Sequence, residues 1–388
     1  MRSFTVDERR ARLARRHLLT AAPATASIAE VASLLVGLHA TDPATPYLSL
    51  LARMPGFQVG DLDAALYQDR SVVKHLAMRR TLWVLTTGDL TAVQAAASDR
   101  VAANERRRLV ADIEKSGVAA NGEAWLGHAS TAVLDHLAEH GPTSARELRT
   151  ALPELAGSYD PAPGKRWGGD TPVAPRVLTV LSVEGFIVRG PNDGTWTTSR
   201  PRWASTSAWL GAAGDPTAAE AARAVVIRAW LRAFGPATIN DVKWWFGNTL
   251  TWARDGLRDV GAVEVDLHGT TGWALPDDLE PEPGNGPWCA LLPALDVTTM
   301  GWQDRDWYLG EHRGQVFDRN GNAGSTAWCD GRVVGGWRQD ADGRVVLQLL
   351  EDVGAKPSKV LARKAGELTD WLNGVRINPR FPSPLSKA

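Results

Sequence analysis

The stretches that decide the fold are "LAEHGPTSARELRTAL" (137–152) and "LRAFGPATINDVKWWF" (231–246). Each is a helical run that ends at Gly-Pro, has Thr within two residues, and then starts a second amphipathic run. Proline lacks the N–H that would continue a helix, and glycine tolerates the left-handed angles of a helix end. In the first copy, Thr143 or Ser144 can cap the new helix, and Glu147 stands three residues after Ser144, as a capping box requires. Thr238 and Asp241 repeat that spacing.

The segments downstream of each copy are also alike. "TPVAPRVLTVLSVEGFIVRGPNDGTWTTS" (171–199) predicts a helix, then a hairpin of FIVRG and TWTT about a PNDG turn. "TLTWARDGLRDVGAVEVDLHGTTGWAL" (249–275) predicts a helix, then AVEVDL, an HGTT turn and GWAL. Helix, short helix, helix, hairpin is the layout of a winged helix-turn-helix. A third copy opens the chain. Helices are expected over 5–17, 27–37, 43–53 and 60–69, strand character at the end of "HLAMRRTLWVLT" (75–86), and a long helix over 88–115 entered through Asp89. The Pro/Gly-rich region 153–172 reads as a loop inside the second unit. From 286 to 350 short β-like runs alternate with turns, with a hairpin turn at Asp340–Gly343, before a helix over 357–373 and an irregular tail. The fold class is therefore α+β, mainly α: winged-helix units over 1–120, 121–210 and 211–285, and a β-rich C-terminal region over 286–388.

The 388 residues suit two or three domains, and 44% hydrophobic with 22% charged is a globular composition. No apolar run reaches membrane-spanning length, and the N-terminus has no apolar core of a secretory signal. Asp7 and Glu8 interrupt what would otherwise mimic an Arg-rich transit peptide. Cytoplasmic is the expected location. The two cysteines, Cys289 and Cys329, are far apart and fit no metal or redox spacing. Asp296, Asp304 and Asp306 lack a His/Cys partner or calcium-loop spacing, so no metal is expected. Neither a P-loop, a dinucleotide fingerprint nor a nucleophile elbow is present.

A net charge of −1 argues mildly against a nucleic-acid binder, although charge can be segregated by face. Residues 1–16 carry six arginines against two acids, and 276–283 carry only acids. The excess of arginine over lysine suits phosphate recognition and equally reflects a GC-rich genome. Arg176 is the sole basic residue of the helix over 172–185. Arg254 and Arg258 alternate with Asp255 and Asp259, a pattern of mutual pairing. Backbone and shape contacts by several units fit better than base reading. Trp244-Trp245 reads as core.

"LLVGLHATDPATPYLSL" (34–50) places His39 and Thr41 two apart at a bend between helices. One reading is a helix end followed by a cap, with Asp42 as N-cap and Pro43 at N1. The other is a polar pair aimed into a site.

"GLHATDPATPYLSLLAR" (37–53), "AMRRTLWVL" (77–85), "LLPALDVTTMGWQDRDWYLG" (291–310), "FDRNGNAGSTAWCDGRVVGGW" (317–337) and "RINPRFPSPL" (376–385) together resemble the AlkZ/YcaQ-like family of winged-helix DNA glycosylases. The resemblance covers most of the chain, in the family's order. It implies three tandem winged helices plus a small β-rich region, C-shaped around duplex DNA, and excision of bulky N-alkylated purines, with crosslink unhooking in some members. No metal or cofactor is expected for such an activity, and the chain is expected to act as a monomer. The family's signature is Gln, an apolar residue, then Gln, or Asp at the last position in one branch. Here that position holds His39-Ala40-Thr41, so both functional residue types differ. The expected catalytic pair is His39 and Thr41, orienting a water at C1′ of an already cationic nucleoside, with a neutral His39 also able to take the water's proton. Protonated His39 would repel the cationic base, so activity should fall in acid. DNA contacts are expected from Arg79 and Arg80 beside a strand, from Arg319, Asn320 and Asn322 in the polar loop, and from Arg376 and Arg380 in the tail. The partner is duplex DNA carrying alkylated purines. The rivals are a non-catalytic DNA-binding protein that lost its chemistry with the glutamines, and a protein-binding scaffold.

Overall fold

The computed structural model describes residues 1–20, 26–162, 164, 165, 168–211 and 217–387. Part of the 153–172 loop therefore lies outside the described residues. Two compact units result: 63–222, and 1–62 together with 223–388.

In the unit 63–222, the long helix Gly122–His140 presents Leu126, Ala129, Val133 and Leu137 at spacings of three and four. This stripe buries against Leu148, Val177, Leu181, Ile187 and Trp203. Asn121 caps the helix start, its side chain accepting from the Ala124 N–H at 2.9 Å. Ser144 caps the next helix, Ala145–Ala151, in a reciprocal box with Glu147. Thr143–Ser144 forms a short strand on Pro201–Ser205, which pairs antiparallel with Ile187–Asn192. The hairpin's second strand is thus 201–205 and not the TWTT of 195–198. Asn192 is the cause. Its amide nitrogen donates to the Thr195 and Thr198 carbonyls and its oxygen accepts from the Arg200 N–H, so 193–200 curls into a loop about this side chain. The 153–172 loop holds a small ladder of its own, Ser158–Tyr159 on Thr171–Pro172.

The same unit contains the hairpin Val72–Leu76 and Leu82–Thr86, whose first strand the pattern did not reveal. The long helix after it is not continuous. Leu90–Val93 passes through a π-helical turn at Gln94–Ser98 before Asp99–Lys115. Asp89 stands at the N-cap position as expected, but its carboxylate makes no cap bond and accepts from the Thr86 hydroxyl at 2.7 Å.

In the other unit, Thr238 and Asp241 form the second capping box, on the helix Ile239–Phe246. The helix Leu250–Asp259 and the hairpin Val263–Asp266/Thr271–Ala274 come next, as the pattern indicated. Gly256 lets this helix approach Ala219–Phe234; a Cβ there would lie 2.1 Å from Ile227 Cδ1. Trp230, Phe234, Trp245 and Trp302 pack together in the interior. Residues 289–292, 326–329, 332–339 and 345–349 form a four-stranded antiparallel sheet in that order, packed against the helix Ala355–Leu372. The tail ends in a short helix, Pro384–Lys387.

The basic N-terminal helix Val6–Arg16 meets the acidic run near 280. Arg12 and Arg16 reach Asp278 at 2.8 and 2.7 Å, and Arg15 reaches Glu282 at 3.0 Å. The charge segregation seen along the sequence is neutralised within the fold. Among the described residues no helix is long and apolar enough to cross a membrane.

Candidate functional site

His39 ends a two-residue strand, Leu38–His39, and is buried, at 3% exposed. The Thr41 N–H donates to His39 Nδ1 at 3.4 Å, a long bond across one intervening residue. With Nδ1 accepting, the neutral ring carries its proton on Nε2. Thr41 is half-buried and Asp42 buried.

The bend is not capped as the Asp-Pro pair suggested. The helix runs Thr45–Leu51, with Ala44 at the cap and Pro46 in the first turn. Asp42 makes a tight turn instead, its Oδ1 accepting from the Ala44 N–H at 3.1 Å. Its Oδ2 accepts from the Arg380 N–H at 2.8 Å, and Arg380 Nη1 lies 3.5 Å from the Thr41 carbonyl. Burial pushes the Asp42 pKa up, against the opposing pull of the Arg380 and Ala44 N–H groups. The tail is thereby fastened to the His39–Thr41 bend.

A second set of contacts holds the helix behind that bend. The Thr45 hydroxyl donates to the Ala294 carbonyl at 2.7 Å, and one turn later the Ser49 hydroxyl donates to Asp296 Oδ2 at 2.6 Å. Arg53 pairs with Asp296 through two bonds of 2.9 and 2.8 Å, both side chains fully buried. Its other three N–H groups donate to the His17 and Ser49 carbonyls and to the Thr298 hydroxyl, so all five donors are met. Burial alone would raise the Asp296 carboxyl, but the Arg53 charge and hydrogen bonds outweigh it and hold the pKa below its ordinary value. His17 completes the network, accepting from Thr298 at Nδ1 and donating from Nε2 to the Ala233 carbonyl. Burial, then the Arg53 charge, lowers its pKa to about 3. Sequence reasoning missed Arg53 and considered Asp296 only as a metal ligand. The "LAR" of 51–53 and the "ALD" of 294–296 carry the pair, but nothing local couples them.

The polar loop joins the same neighbourhood. The Leu295 N–H donates to the Ala323 carbonyl at 3.0 Å, and Gly324 lies so close to the tail that a Cβ would sit 2.1 Å from Ser383 Oγ. Asp318 braces the loop, accepting from the N–H groups of Asn320 and Asn322 and from the Asn322 amide. Asn322 is thus committed inward, while Arg319 and Asn320 are exposed. Arg376 is exposed, yet its guanidinium donates to the Asp340 carbonyl at 2.7 Å and so steadies the 340–343 turn. Arg79 and Arg80 belong to the unit 63–222, at the turn of its 72–86 hairpin, both with positive φ. Arg80 is half-exposed and pairs with buried Glu105 at 2.9 Å. Trp245 is core, and Trp244 stacks against Arg305 at 4.7 Å. Arg258 pairs with Asp255, and Arg176 donates to the Tyr159 hydroxyl. The described residues include no group of three or more His, Cys, Asp or Glu able to hold a metal ion.

The family described as DNA glycosylase AlkZ-like matches residues 32–371. The chain belongs to the AlkZ-like DNA glycosylase family. It is 29% identical over 202 residues to the interstrand DNA cross-link repair glycosylase of Streptomyces sahachiroi, a match covering 50% of this chain and 53% of that relative. The alignment thus spans about half the length of the relative. The fold is similar to that of the DNA glycosylase AlkZ of Streptomyces sahachiroi, with a TM-score of 0.73 at 22% identity, over 97% of this chain and 99% of that one. The AlkZ-like match begins before His39 and ends just short of Arg376 and Arg380.

Proposed function

We propose that the chain is a monofunctional DNA glycosylase that hydrolyses the N-glycosidic bond of bulky N7- or N3-alkylated purines, interstrand crosslinks of such purines being within the same chemistry. It acts on duplex DNA as a monomer, at the nucleoid, without metal or cofactor. In this reading three winged-helix units and the C-terminal region contact the duplex, which the repeated order of helix, two further helices and hairpin supports.

An alkylated N7 or N3 leaves the purine cationic, so the base departs neutral and needs no proton. Water adds to the oxocarbenium-like sugar at C1′ and releases a proton, giving the abasic sugar. The catalytic requirement is to hold that water and the developing positive charge. A neutral His39 with its proton on Nε2 can donate to the water oxygen, and the Thr41 hydroxyl can accept from it. The tautomer supported by the Thr41-to-Nδ1 bond favours positioning over the base role. The observation that carries the proposal is the placing of this pair in a bend fastened on one side by Asp42 to Arg380 and on the other by the Thr45 and Ser49 contacts.

A second reading, a non-catalytic lesion binder or regulator, is favoured by the 3% exposure of His39. Incubation with a duplex holding one bulky 7-alkylguanine, followed by alkaline cleavage at abasic sites, separates them. Strand cleavage at the lesion supports the glycosylase; salt-sensitive binding without base release supports the binder.

A further inference from the structure

The chain contains only two cysteines, 40 residues apart, and the fold sets them directly opposite each other on neighbouring strands. Cys289 begins the strand Cys289–Leu292 and Cys329 ends the strand Thr326–Cys329. Beyond the pair, the Asp330 N–H donates to the Trp288 carbonyl at 3.0 Å. Since narrow and wide pairs alternate along an antiparallel ladder, a hydrogen-bonded pair at 288 and 330 makes 289 and 329 a non-hydrogen-bonded pair, where side chains come closest. The two Sγ atoms are 2.8 Å apart, both thiols free and buried. Cα separations at such a position fall within the range a disulfide spans, so the bond can form without moving the backbone.

Both side chains are shielded, Cys289 at 7% and Cys329 at 5% exposed, and the nearby cleft of about 270 Å³ is lined by Asp7, Arg10, Asn285, Trp288 and Asp330 and by neither cysteine, so an oxidant reaches the pair only as the strand ends open. Trp288 and Asp330 are the residues immediately outside the two cysteines. Burial pushes both thiols above their ordinary pKa, so little thiolate is present near neutrality.

We propose that Cys289 and Cys329 are an oxidative modification site, a thiol pair that closes to an intramolecular disulfide when a peroxide-class oxidant reaches the strand ends. The peroxide takes two electrons from one sulfur, giving a sulfenic acid and one water. The second thiol then displaces the hydroxyl as a second water as the S–S bond forms. Two thiols and one peroxide thus yield a disulfide and two waters. The cross-link closes the loop between the strands, which holds Asp296 and Thr298 of the network behind the His39–Thr41 bend. Oxidation therefore locks that loop, and it does so slowly because the thiols are largely protonated. None of this depends on the proposed glycosylase activity.

The test uses the full chain, purified reduced and then treated with hydrogen peroxide. Expected are loss of two hydrogens in the intact mass, disappearance of both titratable thiols in denaturant, and a peptide pair joining 289 to 329. The midpoint of thermal unfolding should rise by about 5 °C and return on reduction. Cys289→Ala and Cys329→Ala should each keep one titratable thiol under conditions that close the pair, with no thermal gain. Added oxygen on single cysteines, covalent dimers, or two thiols that stay titratable would each overturn the proposal. If either alanine variant fails to fold, the peptide map of the oxidised native chain decides alone.

Discussion

The backbone N–H of Arg380 donates to Asp42 Oδ2 at 2.8 Å across 338 residues of chain. The Ala44 N–H occupies the other oxygen. Replacing Asp42 by alanine strands both donors, at about 1–3 kcal/mol for a buried unmet group. Asp42→Ala should release the tail, raising amide exchange over 376–385, and lower base release about tenfold or more. Asp42→Asn keeps one acceptor oxygen and should fall between. Tail exchange unchanged from the native chain would count against the clamp.

For the motif itself, His39→Ala should lower single-turnover base release by roughly 10²–10³, the range for loss of one preorganised hydrogen-bond donor, with DNA affinity little changed. His39→Gln restores a donor amide and should recover part of the loss. Thr41→Ala should cost less, since it removes the second contact to the water. A His39→Ala rate equal to the native rate removes the pair from the mechanism.

Behind the motif, Arg53 and Asp296 form an ion pair with every donor met. Removing one partner leaves a buried charge alone, at about 3–5 kcal/mol. Arg53→Met or Asp296→Leu should therefore lower the urea midpoint severely. The double variant should lose less than the two single losses added together, because neither charge is then left behind. Additive losses would mean that the two side chains do not act as a pair.

The elements legible in the sequence are those whose cause is local. Ser144 with Glu147 and Thr238 with Asp241 carry their signal within four residues, as does the 340–343 turn. The second strand at 201–205 was missed because Asn192 satisfies its amide against Thr195 and Thr198, which no two-residue turn pattern anticipates. The site was legible as a position, through His39-Ala40-Thr41, and illegible as an assembly. Asp42 with Arg380, Arg53 with Asp296 and Cys289 with Cys329 are contacts between segments that carry no mark of one another. The basic N-terminus and the acidic 276–283 run were visible as charges, and only folding shows that they neutralise each other.

Two arginines grouped together by sequence should behave differently. Arg319 is exposed on a braced loop, so Arg319→Ala should weaken duplex binding and reduce the salt slope by about 0.9, the value for one lost phosphate contact. Arg376 is bonded to the Asp340 carbonyl, so Arg376→Ala should instead lower thermal stability and leave the salt slope largely intact. Titrations at several salt concentrations, with melting curves of both variants, test the distinction; equal slope losses would put both on the DNA.

Acid should weaken both units through buried neutral histidines. His17 is held at about 3 and His75 at about 4, each chiefly by burial, against an ordinary value of 6.5. The unfolded chain takes up a proton on each as pH falls through about 6.5, while the folded chain does not, so the unfolded state gains. Each group should cost stability by roughly 1.4 kcal/mol per pH unit below that point, until its folded pKa is reached. Asp296 acts in a separate window: its depressed pKa contributes stability that is lost only as pH falls below the ordinary carboxylate range. Urea unfolding at pH 7.5, 6.0 and 5.0 should show a falling midpoint well before carboxylates titrate. The fall should be shallower in His75→Gln, which cannot gain the proton. A midpoint that stays level down to pH 5 would mean that these rings are not held neutral in the fold.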